Sequence, residues 1–201
     1  MKQHIPNALT LARLFGAGLF IALLAVWSAG ENDTMLLVSA GVFILAVITD
    51  ALDGFLARKW DAVSMFGRVM DPLADKVIVL GGFVMLASPA FEVEGRMISG
   101  VYSWMVVVII ARELLVTAIR SVMEARGVDF SASLTGKLKM VLQSVAIPLA
   151  LVLTWLHLES EGDSWYSGAN LGIAWAVVGV TVASGIPYVT RAIRASKQLT
   201  D

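Results

Sequence analysis

Apolar residues run through this chain in six long stretches separated by short polar connections. Each stretch is close to the roughly 20 residues that an α-helix needs to cross the hydrocarbon core of a bilayer. A transmembrane β-barrel would instead show alternating apolar and polar positions, and these stretches do not alternate. The pattern predicts membrane-spanning helices over residues 8–28, 35–57, 72–91, 98–123, 134–157 and 169–192.

The predicted fold class is therefore an all-α integral membrane protein with six transmembrane helices, formed by a single domain over residues 1–201. Pro6 indicates a break before the first span, so residues 1–7 are expected to form a short N-terminal juxtamembrane segment. A cleaved signal peptide over residues 1–30 is the alternative. Arg13 and the length of the apolar stretch both argue against it.

The composition agrees with a chain whose main solvent is lipid. Of its 201 residues, 58% are hydrophobic, whereas a soluble domain is roughly 45–50% apolar. The absence of cysteine excludes a disulfide framework, a zinc–thiolate site and a catalytic thiol. The formal net charge of −1 gives no sign of nucleic-acid binding.

Charged residues alternate in sign between the connections. Residues 31–33, 92–94 and 159–163 are acidic, and Arg96 is the one basic residue in these three connections. Lys and Arg concentrate in the other connections and near both termini. Because Lys and Arg are enriched on the cytoplasmic side of membrane proteins, we predict that both termini and the basic connections face the cytoplasm.

Four aspartates interrupt the apolar pattern on this cytoplasmic side: Asp50, Asp53, Asp71 and Asp75. The first pair is spaced i,i+3 and the second i,i+4, so each pair shares one face of its helix. Carboxylates at or near membrane depth are costly and mark candidate functional sites. They can converge only around positive charge, and an all-oxygen set favours one or two hard divalent cations.

Three other interpretations of these aspartates stay open. Asp71 alone could cap the third helix, with Pro72 in its first turn. All four could form a structural ion network with nearby cations, namely Arg58, Lys59, Arg68 and Lys76. They could also line a divalent-cation transport path, although residues 36–48 and 77–87 contain no ionisable group that would continue it across the membrane.

The surroundings of the aspartates carry a family resemblance. From Asp50 to Asp75 the chain fills every position of the pattern Asp-x2-Asp-Gly-x2-Ala-Arg-x8-Gly-x3-Asp-x3-Asp, which is similar to the signature of the CDP-alcohol phosphotransferase family. Residues 6–13 resemble the family's opening Pro-Asn-x-Leu-Thr-x-x-Arg. Residues 111–113 and 136–139 resemble stretches of its phosphatidylglycerophosphate synthase branch.

This resemblance implies a membrane enzyme of phospholipid biosynthesis, usually a homodimer, in the inner membrane of a bacterium with its active site facing the cytoplasm. It implies transfer of a phosphatidyl group from CDP-diacylglycerol to sn-glycerol 3-phosphate, giving phosphatidylglycerophosphate and CMP. Inositol phosphate or serine are alternative acceptors within the family. Two divalent cations, Mg²⁺ or Mn²⁺, would be held by the four aspartates, and Asp75 would also serve as the general base.

The resemblance and the local chemistry also suggest binding residues. The candidates for the CDP site are Asn7, Thr10, Asp50, Gly54, Ala57, Arg58 and Gly67. The candidates for the phosphate of the acceptor are Arg112, Arg120, Lys137, Lys139 and Arg191. Several have ordinary alternatives: Asn7 and Thr10 could break and cap the first helix, Gly67 could form a turn, and the arginines of the fourth span could pair with Glu113 and Glu124.

Overall fold

A computed structural model of the chain describes residues 4–60, 65–127, 134–160 and 164–198. Within these ranges, the side chains outside the description are those of residues 4–10, 50–60, 65–69, 71–72, 134 and 196–198. At those positions the structure places the backbone alone.

Six long helices account for most of the described residues: α1 His4–Val26, α2 Thr34–Trp60, α3 Met65–Leu86, α4 Ser103–Ala125, α5 Leu134–Glu159 and α6 Ser164–Gln198. Between α3 and α4 lie a 3-10 turn, Pro89–Phe91, and a small hairpin in which β1 (Glu92–Val93) pairs antiparallel with β2 (Arg96–Met97). The predicted all-α class with six helices is confirmed.

The start of α1 differs from the prediction. It begins at His4, so residues 4–7 belong to the first long helix and do not form a separate segment. Pro6 lies in the first turn, where its missing N–H is not needed by the helix. Asn7 and Thr10 accordingly lie inside α1, and the interpretation that they break and cap it was wrong.

The start of α3 differs as well. It begins at Met65, so Asp71 and Pro72 lie in its second turn and do not open it. The interpretation of Asp71 as a helix cap was therefore wrong, and Gly67 is a helix residue where a turn was the alternative. The reason is that hydropathy marks the apolar part of a helix, whereas α3 starts in the more polar stretch before it.

The helices pack as two neighbouring groups that share α5. α1 packs against α2 and α3, while α5 packs against both α2 and α6, and α4 packs against α6. Two glycines of α3 permit close approach. A Cβ added to Gly81 would lie 2.8 Å from Cδ1 of Ile21 on α1, and one added to Gly82 would lie 2.9 Å from Cδ1 of Ile147 on α5. These contacts fix α3 between α1 and α5.

The connection between α3 and α4 contacts α6 near its N-terminal end, beside the C-terminal part of α5. Asn170 Nδ2 donates hydrogen bonds to the carbonyl of Ile98 at 2.9 Å and to Thr154 Oγ1 at 3.1 Å. Gly100 adopts φ +68°, and a Cβ there would lie 2.3 Å from the backbone nitrogen of Leu171. On α5, Thr154 lies about 22 Å from Lys139, at a rise of about 1.5 Å per residue.

Two helical segments are long and apolar enough to cross a membrane, Thr135–Glu159 and Ser164–Ala195, within the part of the chain that the structure describes. Leu11–Val26 and Thr34–Thr49 are shorter apolar segments. Large apolar side chains such as Phe15, which is 76% exposed, cover the outer helix surfaces. These features fit a membrane protein, and the full set of six spans stays a prediction.

Candidate active site

A partly buried ion pair joins α1 to α3. Arg13 Nη1 donates to Asp75 Oδ1 at 3.0 Å, with the Arg13 side chain 1% exposed and that of Asp75 41% exposed. A buried cation requires a hydrogen-bonded counter-charge, so Arg13 and Asp75 fix each other across the α1–α3 contact. Sequence reasoning missed this contact, because the partners are 62 positions apart and no local pattern links them.

Asp75 lies on the wall of a cavity of about 340 Å³ bordered by α1, α2, α3 and α5. Beside Arg13 and Asp75, the lining residues are Ala46, Val47, Ile78, Val79, Met140, Val141, Ser144 and Val145. Met140, Val141 and Val145 are each more than half exposed, so the cavity opens along the surface of α5. A charged end with an apolar opening suits an amphiphilic ligand.

The other three aspartates lie on the helices that border this cavity. Asp50 and Asp53 are in α2 and Asp71 is in α3, and their side chains are outside the described residues. Ala46, a lining residue, precedes Asp50 by one helical turn, and Asp71 precedes Asp75 by one turn. The backbone positions of Asp50 and Asp71 are thus each one helical turn from a residue that lines the cavity.

Among the residues with described side chains, no group of three or more His, Cys, Asp or Glu could hold a metal ion. The side chains of Asp50, Asp53 and Asp71 are not among them, so convergence of the four aspartates stays a prediction. The donor set itself fits a hard divalent cation, because all four side chains offer carboxylate oxygens. Asp75, the described member, reaches the cavity with its side chain partly exposed.

The remaining candidates for the CDP site lie near the same end of the helices. The backbone positions are in α1 for Asn7 and Thr10, in α2 for Gly54, Ala57 and Arg58, and in α3 for Gly67. Their side chains are outside the described residues. Since Arg13 of α1 meets Asp75 of α3, the start of α1 and the start of α3 lie at one end of the bundle.

A second charged cluster joins α4, α5 and α6. Glu113 Oε1 accepts a hydrogen bond from Arg112 Nη1 at 2.9 Å and another from Lys139 Nζ. Arg112 Nη2 also donates to the carbonyl of Ser184 at 3.3 Å, and its guanidinium lies 5.9 Å from the ring centroid of Tyr188. All three charged side chains are 12% exposed or less. Two cations thus share one carboxylate in largely buried surroundings.

The other candidates for the acceptor phosphate do not join this cluster. Arg120 pairs with Glu124 at 3.2 Å, one turn further along α4, with side chains 43% and 53% exposed. Such an exposed i,i+4 pair contributes only about 0.3–0.5 kcal/mol. Lys137 and Arg191 are exposed. The pairing of the α4 arginines with Glu113 and Glu124 is therefore observed, and it coexists with the contact between Glu113 and Lys139.

The cavity and the Arg112–Glu113–Lys139 cluster are neighbours. Lys76 follows Asp75 on α3, and its Nζ donates to Thr117 Oγ1 at 2.7 Å. Thr117 in turn donates to the carbonyl of Glu113 at 2.7 Å. On α5, Lys139 of the cluster directly precedes Met140 of the cavity. The cavity and the cluster therefore lie on adjacent faces of α5, and the contact between Lys76 and Thr117 links α3 beside the cavity to α4 of the cluster, an arrangement that sequence reasoning had not specified.

Known proteins are similar to this chain over most of its length. The sequence pattern of the CDP-alcohol phosphatidyltransferase family matches residues 3–186. A Bacillus subtilis (strain 168) protein named CDP-diacylglycerol–glycerol-3-phosphate 3-phosphatidyltransferase is 35% identical over 202 residues, covering 96% of this chain and 97% of the relative.

Two further relatives are similar to this chain over most of its length. A Mycoplasma genitalium protein of the same name is 37% identical over 181 residues, covering 83% of this chain and 72% of the relative. A Mycobacterium tuberculosis protein named probable phosphatidylglycerophosphate synthase is 34% identical over 193 residues, covering 95% of this chain and 82% of the relative.

Proposed function

Because this chain belongs to the CDP-alcohol phosphatidyltransferase family, we propose that it transfers the phosphatidyl group of CDP-diacylglycerol to sn-glycerol 3-phosphate. The products are phosphatidylglycerophosphate and CMP, and the reaction is a step of phospholipid biosynthesis. The names of the relatives support this choice of donor and acceptor over serine or inositol phosphate.

The observation that carries the proposal is the adjacency of the cavity and the basic cluster. The cavity has Asp75 at its charged end and apolar residues at its opening, which suits a lipid whose acyl chains stay in the bilayer. Arg112 and Lys139 provide the surplus positive charge that a phosphorylated acceptor requires. A serine acceptor has no phosphate that could bind to these two cations.

In the reaction, the acceptor hydroxyl attacks the phosphorus that is bonded to diacylglycerol. The bond from this phosphorus to the oxygen of CMP breaks, and CMP leaves with the electron pair. Asp75 takes the hydroxyl proton, and Arg13 holds the Asp75 carboxylate in place through Oδ1. Transfer of this kind depends mainly on positioning and on neutralising charge, so a covalent nucleophile is not required.

The family generally uses divalent cations. Here Asp50, Asp53, Asp71 and Asp75 would hold two of them, Mg²⁺ or Mn²⁺, since their oxygens are the donors that these ions prefer. Bound cations would neutralise the pyrophosphate and stabilise charge on the reacting oxygens.

We further propose that the enzyme is a multi-pass homodimer in the bacterial inner membrane, with six spans and a cytoplasmic active site. The bacterial relatives and the apolar helices support the membrane location. The Lys and Arg residues near the termini and the site support the cytoplasmic orientation. The dimer follows from the family resemblance alone.

The test is CMP release by the purified full-length protein in detergent, with one labelled CDP-diacylglycerol and a panel of acceptors. We expect release with sn-glycerol 3-phosphate and Mg²⁺ or Mn²⁺, and none when either substrate or the cation is left out. Preference for serine or inositol phosphate would contradict the proposed acceptor. Divalent-cation flux into proteoliposomes without CDP-lipid would favour the transporter alternative.

A further inference from the structure

Glu113 is an acidic residue in the place where an anion is expected to bind, and the proposed reaction gives it no role. Resting on the proposed function, we infer that Glu113 is a positioning residue for the acceptor phosphate. It holds Arg112 of α4 and Lys139 of α5 by one carboxylate oxygen, so that both cations face the same phosphate.

The shared oxygen limits how far apart the two cations can be. Arg112 Nη1 and Lys139 Nζ both bond Oε1 of Glu113, and two hydrogen bonds of ordinary length separate their donors by at most about 6 Å. Two oxygens of a single phosphate can be bonded across such a separation. Without Glu113, two like charges at this distance would repel each other.

The rest of the cluster fixes Arg112 and α5 but leaves donors for a ligand. Arg112 is also bound to the Ser184 carbonyl and packs over Gly185, where an added Cβ would lie 3.4 Å from its Cγ. Gln143, one turn after Lys139, bonds Thr181 of α6 at 3.1 Å. Arg and Lys together carry about eight N–H donors, of which three bond described residues here.

An electrostatic role and a positioning role of Glu113 predict opposite changes in the KM for the acceptor when its negative charge is removed. Glu113→Gln deletes a negative charge, so a purely electrostatic background role predicts tighter binding of a phosphorylated acceptor. A positioning role predicts weaker binding, because a neutral amide is a poorer acceptor for two cations than a carboxylate. The sign of the change in KM therefore separates the two roles.

The experiment is steady-state kinetics of the purified full-length enzyme with each substrate varied in turn. For Glu113→Gln we expect the KM for sn-glycerol 3-phosphate to rise about tenfold, the loss of one charge-assisted hydrogen bond. The KM for CDP-diacylglycerol should stay within about twofold. Glu113→Asp, which keeps the charge on a shorter side chain, should give an intermediate KM for the acceptor and carries the test if the Gln variant does not fold.

The matched control is Glu92→Gln, the same charge change at an exposed residue of the hairpin, which should leave both KM values unchanged. An unchanged or lower acceptor KM in Glu113→Gln overturns the positioning role while the proposed function stands. A parallel rise of both KM values with a lower melting temperature shows a purely structural role and overturns it too. A wild-type protein without turnover of sn-glycerol 3-phosphate overturns the proposed function and this inference with it.

Discussion

Asp75 combines two properties that a structural carboxylate would not need together. Its Oδ1 is bound by the buried Arg13, yet its side chain is 41% exposed and lies on the cavity wall. A residue that served only to neutralise Arg13 could be buried completely. The partial exposure keeps this carboxylate accessible to a ligand, while Arg13 restricts its orientation.

Replacing Asp75 with Asn tests this role. Asn keeps the shape of the side chain but cannot take up a proton, so kcat for CMP release should fall at least about 100-fold, the lower range for loss of a general base. Asp33→Asn is the control, because Asp33 lies in the connection before α2, where its Oδ1 accepts a hydrogen bond from the Gly30 amide. Full turnover by the Asp75 variant would reject the assigned base.

At the residue scale, the sequence names candidate site residues but does not say which of them contact one another. Asp75, Arg112 and Lys139 were all predicted site residues. Their contacts with Arg13 and Glu113 depend on which helices pack together, since Lys139 and Glu113 are 26 positions apart. A spacing rule within one helix cannot predict a contact between helices.

At the scale of elements, α3 is the helix that organises the site. It carries Asp71 and Asp75, and its Lys76 reaches Thr117 on α4. Gly81 lets α1 approach closely enough for the contact between Arg13 and Asp75. Hydropathy predicted this helix over residues 72–91, whereas α3 spans Met65–Leu86. Its start was placed too late because the polar first turns of a helix carry no signal for membrane insertion.

A larger side chain at Gly81 should separate α1 from α3. In Gly81→Leu, the new Cβ would lie 2.8 Å from Ile21 Cδ1, and overpacking of this kind costs about 1–3 kcal/mol. The melting temperature in detergent should fall, and kcat should fall with it as Asp75 shifts. Gly41→Leu is the control, because nothing lies within 4 Å of a Cβ at that exposed helix position. Equal melting temperatures for the two variants would contradict the proposed close packing.

At the scale of the whole molecule, the charged groups and the apolar surfaces occupy different regions, which suit different parts of a lipid. The charged cluster and the aspartates lie toward one end of the helices, and apolar side chains cover the outer surfaces. The cavity connects the two regions, with Arg13 and Asp75 inside and Met140, Val141 and Val145 at the opening. This arrangement would let a lipid present its head group to the site without leaving the membrane.

Narrowing the opening should affect only the lipid substrate. Val145→Trp places a large ring at the opening of the cavity, so we expect the KM for CDP-diacylglycerol to rise several-fold while the KM for sn-glycerol 3-phosphate is unchanged. Leu149→Trp, one turn further along α5 and 41% exposed, is the control on the same helix. A rise in the acceptor KM alone would contradict this assignment of the opening.

The most direct test of the account asks whether aspartates from α2 and α3 hold the same cations. Mn²⁺ binding to the purified protein can be measured by electron paramagnetic resonance for the wild type, Asp50→Asn and Asp71→Asn, with Asp33→Asn as control. We predict that each of the two site variants loses at least about tenfold in affinity, because affinity follows the number of charged ligands, and that the control binds like the wild type. Wild-type binding by both site variants would contradict a shared cation site.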